Sequence, residues 1–168
     1  QQALADYAAY LLQKYRPRVI GVTGSSGKTT TKEAIAAVLK QQYRVFKNYG
    51  SYNGRYGLPI ALGQFSPDDE VAVLEMACDT FGEIGDLARI TQPEVGVITT
   101  INQTHLAFLG TLNNIAAEKG RLIEALPFNG SAILNADDPR VAGMVPRTQA
   151  RILTFGLKAG ADVRASDL

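Results

Sequence analysis

Apolar residues recur at two different periods along the chain, and the alternation between those periods predicts the fold class. Leu4, Tyr7, Ala8, Leu11 and Leu12 repeat every three or four positions, which predicts an amphipathic helix over 3–15 that stops before Pro17. The stretches 18–22, 71–76 and 95–101 are near-continuously apolar over strand length, as expected of strands buried on both faces. Shorter strands are expected at 43–46, 132–134 and 152–155. Helical spacing returns over 28–40, with Ile35, Val38 and Leu39 on the inner face, and again over 83–90 and 112–126. Residues 48–56 are polar, aromatic and rich in Gly and Asn, hence a loop. Strands that alternate with helices predict an α/β fold, a mostly parallel sheet flanked by helices. Such sheets bind ligands at the carboxyl ends of their strands.

The first strand meets that demand at once. Val19-Ile20-Gly21-Val22-Thr23 runs into Gly24-Ser25-Ser26-Gly27-Lys28-Thr29-Thr30-Thr31, a glycine-rich turn that opens a helix. Gly24 and Gly27 allow a tight turn whose N–H groups face inward, and the helix adds its positive end. Lys28 is placed to reach the β- and γ-phosphates of a nucleotide, and the Thr29 hydroxyl to coordinate Mg²⁺. Ser25, Ser26 and Thr30 complete the cradle. The strict phosphate-loop pattern needs glycine at position 22, where Val22 stands. The loop is therefore a shorter Thr-Gly-x-x-Gly-Lys-Thr-Thr variant.

With 168 residues, 46% of them apolar, the chain can bury the core of one domain. Its formal net charge is +1 with Lys and Arg scattered, so no nucleic-acid surface is indicated. Cys78 is the lone cysteine, which excludes an internal disulfide or a cysteine-based zinc cluster and fits a cytoplasmic protein. No apolar run nears the roughly 18 residues of a membrane helix, and no signal-peptide pattern is present. The chain starts at Gln1, so it reads as a piece of a longer protein, with 1–17 a linker helix, 18–157 the nucleotide-binding domain and 158–168 a second linker.

Other candidates stand where strands end. Glu75 closes an apolar run, and a buried carboxylate needs a cation or strong donors. It is either a metal ligand or a group tied to backbone N–H groups or to Lys28. His105, the single histidine, follows a central strand and is structural or a ligand. Lys119 lies in the 112–126 helix, four residues after Ile115 and three before Leu122. Spacing favours a snorkelling surface lysine over one held near the site. Asn135-Ala136-Asp137-Asp138-Pro139 reads as an Asx turn capping a short helix.

These motifs taken together resemble the Mur ligases. The glycine loop at 20–30 is similar to that family's ATP-binding loop. Glu75-Met76, Thr104-His105-Leu106, Ala117-Glu118-Lys119 and Asn135-Ala136-Asp137-Asp138-Pro139 follow in the family's order. The resemblance covers residues 18–140, and five ordered motifs are far more specific than one loop. Asn53 with Gly57-Leu58-Pro59, and Gly82-Glu83-Ile84, most resemble the members that add D-Ala-D-Ala. The chain departs from the family pattern at Ala77, Asn102, Gly54 and Ala107.

The resemblance implies the central ATPase domain of a three-domain ligase that forms an amide through an acyl phosphate. ATP and two Mg²⁺ would be bound here. A UDP-sugar peptide and D-Ala-D-Ala would be held through the flanking domains. It makes Glu75 and His105 magnesium ligands beside Thr29, and Lys119 a carbamylated lysine that helps hold the second ion. It sets Asn135 and Asp138 beside the adenine and Asn53 at the phosphate end of the cleft. Alternatives are a sister amide ligase of the folylpolyglutamate or cyanophycin type, a fragment that binds Mg·ATP without activity, and a regulatory phosphate-loop NTPase.

Overall fold

The computed structural model describes residues 2–103 and 109–166. In chain order the elements are α1 (Gln2–Tyr15), β1 (Arg18–Thr23), α2 (Lys28–Leu39), β2 (Val45–Lys47), α3 (Gly57–Leu62), β3 (Val71–Glu75), α4 (Glu83–Thr91), β4 (Val95–Ile98), α5 (Leu112–Glu124), β5 (Ser131–Asn135), α6 (Pro139–Ala142), β6 (Arg151–Gly156) and β7 (Val163–Arg164). A 3₁₀ turn spans Val145–Arg147. The strands form one seven-stranded sheet in the order β2-β3-β1-β4-β5-β6-β7. Every pairing is parallel.

Alternation along the strands supplies both faces of the sheet with apolar side chains. Val71 and Val73 join Val22, Val97 and Ala36 in the smaller core under α2. Ala72 and Leu74 face the larger core, which also takes Leu12 of α1, Leu62 of α3, Leu87 of α4 and Leu122 of α5. All five residues of β3 are buried, so its lack of a polar period follows from cover on both sides.

The structure differs from the sequence expectations in four places. Val38, expected on the inner face of α2, is 71% exposed, and Lys32 and Ala36 are the buried residues instead. Leu58, Pro59, Ala61 and Leu62 form a buried helical turn after the 48–56 loop. Pro59 hid it, although proline is tolerated within a first turn. Residues 158–166, expected to leave the domain, add β7 to the sheet edge, where Phe155 pairs with Val163. Residues 1–17, expected as a linker, supply Ala8 and Leu12 to the larger core.

Candidate active site

The chain reverses direction across the sheet between β3 and β1, so their carboxyl ends open a crevice, as such switch points do. The glycine loop leaves β1 there. Gly24 adopts φ 148 and Gly27 φ 79. A Cβ at Gly24 would run into the Thr99 hydroxyl, so only glycine fits there. Thr99, which follows β4, donates to the Ser26 carbonyl at 2.6 Å. The Ser25 N–H donates to the Thr100 carbonyl at 2.7 Å, and the Asn102 amide to the Ser26 hydroxyl at 2.7 Å. The segment after β4 thus braces the loop from outside.

Lys28 curls back over the loop and donates to the carbonyls of Gly24 and Ser25 at 2.9 and 3.3 Å. An anion entering the loop would exchange those carbonyls for stronger charge-assisted bonds. Thr29 donates to Oε2 of Glu75 at 2.8 Å, and the Asn53 amide donates to Oε1 at 2.8 Å. Glu75 is buried, and its carboxylate is held by side chains from α2 and the 48–56 loop. Among the described residues neither a backbone N–H nor Lys28 bonds this carboxylate, which differs from that expected alternative.

Lys32, Asn48 and Thr99 complete this arrangement, and the sequence reading did not single them out. Lys32 is 1% exposed, donates to the Asn48 carbonyl at 2.7 Å and lies 3.7 Å from Oε2 of Glu75. Asn48 accepts from the Glu75 N–H at 2.8 Å and donates to the Glu75 carbonyl at 3.0 Å. One signal was available: Lys28, Thr29 and Lys32 share a face of α2 at helical spacing.

Lys119 is 1% exposed, so the spacing argument that favoured the surface is overturned. The helix carries it inward because Ile115, Leu122 and Ile123 bury the same side of α5. Its Nζ lies 3.8 Å from the Cys78 sulfur. Burial pushes the Lys119 ammonium below its ordinary value and the Cys78 thiol above it. Neighbouring Glu118 accepts from the Gly82 and Ile84 N–H groups, both at 2.9 Å, and thereby ties α5 to the start of α4.

Asn135 donates to the Thr99 carbonyl at 2.8 Å. Asp138 caps α6, accepting from the Arg140 and Val141 N–H groups, and its other oxygen accepts from the Ile101 N–H at 2.6 Å. The capping geometry expected of this segment is present. Thr104, His105 and Leu106 lie outside the described residues.

A cleft of ≈ 470 Å³ opens beside these groups, lined by Lys28, Asn53, Arg55, Glu75, Cys78 and Asp79 among others. The donors beside the loop are hard oxygens, the type that suits Mg²⁺. Among the described residues no three His, Cys, Asp or Glu side chains group to hold a metal alone. Thr29 and Glu75 would therefore share a cation with phosphate oxygens and water, as magnesium sites commonly do.

The profile of the Mur ligase middle domain matches residues 22–168. The chain belongs to the Mur ligase family. It is similar to the UDP-N-acetylmuramoyl-tripeptide–D-alanyl-D-alanine ligase of Bacillus subtilis, 44% identical over 137 residues, which are 82% of this chain and 30% of that protein. The ligase of the same name from Synechocystis is 42% identical over 94% of this chain and 35% of its own length. The chain thus spans about a third of these relatives. Among solved structures, MurF ligase from Thermotoga maritima in complex with ADP superimposes with a TM-score of 0.87 at 39% identity, covering 94% of this chain and 37% of that one. The expected Mur ligase fold, with its parallel sheet flanked by helices, is the observed one.

Proposed function

We propose that this chain is the ATP-binding module of a ligase that joins D-Ala-D-Ala to a UDP-MurNAc-tripeptide. The observation that carries the nucleotide reading is the buried Glu75 carboxylate, held by Thr29 and Asn53 at the open side of a glycine loop. The substrates follow from the names of the relatives. Gly24, Ser25, Ser26, Gly27, Lys28, Thr29 and Thr30 hold the phosphates, while Asn135 and Asp138 frame the adenine end.

In the proposed reaction a carboxylate of the UDP-linked peptide attacks the γ-phosphorus, ADP leaves, and an acyl phosphate remains. The dipeptide amine then displaces phosphate, losing a proton as the amide forms. The reacting carboxylate and triphosphate repel each other, so alignment and positive charge must come from the site. Lys28 and the loop N–H groups supply both. Thr29, Glu75 and His105 would hold magnesium, which when bound would supply positive charge against the phosphates. Lys119 would enter as a carbamate: burial lowers the affinity of its amine for a proton, which eases addition to CO₂, and the resulting anion would help hold a second ion.

Calorimetric titration with ATP, with and without Mg²⁺, tests this reading. Magnesium-enhanced binding that falls by at least about 100-fold in Lys28→Ala is expected, given the strength of buried charge-assisted phosphate contacts. Equal binding by the folded variant would remove the loop from the mechanism.

A further inference from the structure

Lys32 is a buried cation that the proposed chemistry does not use. Two of the largest fully buried side chains are lysines, Lys32 and Lys119, and burial of an ammonium is costly unless strong partners surround it. Lys32 has three. Its Nζ touches the Asn48 carbonyl at 2.7 Å, Oε2 of Glu75 at 3.7 Å and Oε1 of Glu33 at 3.4 Å. Glu33 is partly exposed and also pairs with Lys47, so a surface ion pair was open to it without drawing Lys32 inward.

Asn48 is the second half of the arrangement. It sits one residue beyond β2, and its amide bonds both the N–H and the carbonyl of Glu75. The side chain thus continues the β2–β3 pairing by one step, at the residue where β3 ends. The same amide also donates to the Tyr52 carbonyl at 2.8 Å, and the Ala77 N–H donates to the Asn53 carbonyl at 2.8 Å. The backbone of Glu75 and the loop that carries Asn53 are therefore pinned to each other, and Lys32 is bonded to Asn48 at the centre of that link.

We infer that Lys32 is a positioning residue for Glu75, acting directly on its carboxylate and, through Asn48, on its backbone. From behind the carboxylate it fixes which way the oxygens point, while Thr29 and Asn53 engage them from the nucleotide side. Lys28 and Thr29 open α2 and Lys32 follows one turn later, so the helix that opens at the phosphate loop also aims the acidic partner of that loop. The inference rests on the reading of Glu75 as a metal-side ligand, since an oriented carboxylate matters when it must meet a cation of strict geometry.

Two measurements on Lys32→Met and Asn48→Ser decide it. In nucleotide-free protein, the Glu75 amide is expected to exchange its hydrogen about tenfold faster in each variant, while amides of β5 hold their rates. In ADP titrations, the enhancement of affinity by Mg²⁺ is expected to fall by about 10–100-fold, the usual effect of losing a group that orients a metal ligand. Affinity measured in chelator should stay within about threefold, because Lys28 and the loop are untouched. Equal losses with and without Mg²⁺ would reduce Lys32 to a structural residue. A stronger Mg²⁺ enhancement would make it a competing counter-ion, and unchanged Glu75 exchange would break the link through Asn48. Any of these overturns the inference. A wild-type chain that binds no ADP would instead overturn the nucleotide reading, and the exchange rates would still decide whether Lys32 orients Glu75. Should Lys32→Met not fold, Lys32→Gln, which removes the charge and keeps a polar donor, carries both readouts with the same expected changes.

Discussion

The two sealed lysines differ in what surrounds their charge, and that difference predicts different responses. Lys32 faces carboxylates, whereas Lys119 faces the Cys78 sulfur, a weak acceptor. Burial accordingly lowers the affinity of Lys119 for its proton. Between that lowered value and the ordinary lysine value of about 10.4, the unfolded chain holds more protons than the folded one. Stability contributed by this group is therefore smallest below the window and rises with pH through it. Cys78, raised by burial, contributes the opposite slope above the ordinary thiol value, so a difference measurement is needed. Urea midpoints of wild type minus Lys119→Met, followed from pH 7 to 10, should climb as pH rises. The methionine variant should be at least as stable at pH 7, because it buries no charge. A flat difference would mean that the ammonium is better satisfied than its surroundings indicate. Sequence spacing brought Lys119 next to apolar neighbours, yet a 3.6-residue period cannot show whether a long side chain turns in or out. That choice was made by the packing of α5 against α4 and by Cys78, 41 residues away in sequence.

Whole elements were legible where a pattern ran long enough to have a period. The helices α1, α2, α4 and α5 and the strands β1, β3 and β4 carry either helical spacing or an apolar run. β7 carries neither: two residues, Val163 and Arg164, in a stretch of Ala, Gly and Asp. Its attachment depends on carboxylates. Asp162 accepts from the Thr154 N–H and hydroxyl at 2.8 and 2.7 Å, and Asp137 accepts from the Leu157 and Lys158 N–H groups. These bonds hold both carboxyls below their ordinary values, through the Thr154 hydroxyl first for Asp162 and the Leu157 N–H first for Asp137. A depressed carboxyl contributes its full stabilisation above the unfolded value of about 3.9 and loses it as pH falls through the folded value. The edge strand should therefore loosen in acid before the central sheet does. Exchange of the Ala165 amide, which donates to the Gly156 carbonyl, should accelerate below about pH 4 relative to amides of β5, and Asp162→Asn should be fast already at neutral pH. Parallel acceleration of both strands would show that the edge does not open on its own.

At the scale of the molecule, the carboxyl ends of β1, β3, β4 and β5 gather residues that lie more than a hundred positions apart in sequence. Lys28, Thr29, Glu75 and Asn135 were legible because each belongs to a short motif at a strand end, and Asn53 only through the family resemblance. Lys32, Asn48 and Thr99 were not, since their roles exist only once strands are paired. The two faces of the sheet are also clothed unequally. Contributions from α1, α3, α4 and α5 build the larger core, while α2 lies over the smaller one. Between α2 and β4–β7 runs a groove of ≈ 560 Å³ lined by Ile35, Val38, Ile133, Leu153 and Phe155 among others. Its lining is almost wholly apolar, unlike the charged cleft beside Lys28. Exposed apolar surface of this continuity attracts apolar ligands or other protein surfaces. The chain in isolation is thus expected to bind an anilinonaphthalene sulfonate dye at this face while fully folded, with the emission rising well below the unfolding midpoint. Val38→Glu sets a charge at the 71% exposed rim and should cut that emission severalfold. The cost in stability should stay within about 0.5 kcal/mol, as for most surface substitutions. Saturation with ATP should leave the signal unchanged, because the phosphate loop opens at the strand ends and the groove lies along the sheet face. Displacement of the dye by ATP would place it in the cleft instead. Dye binding that appears only as the protein melts would show that α2 seats down over the strands more closely than the groove implies.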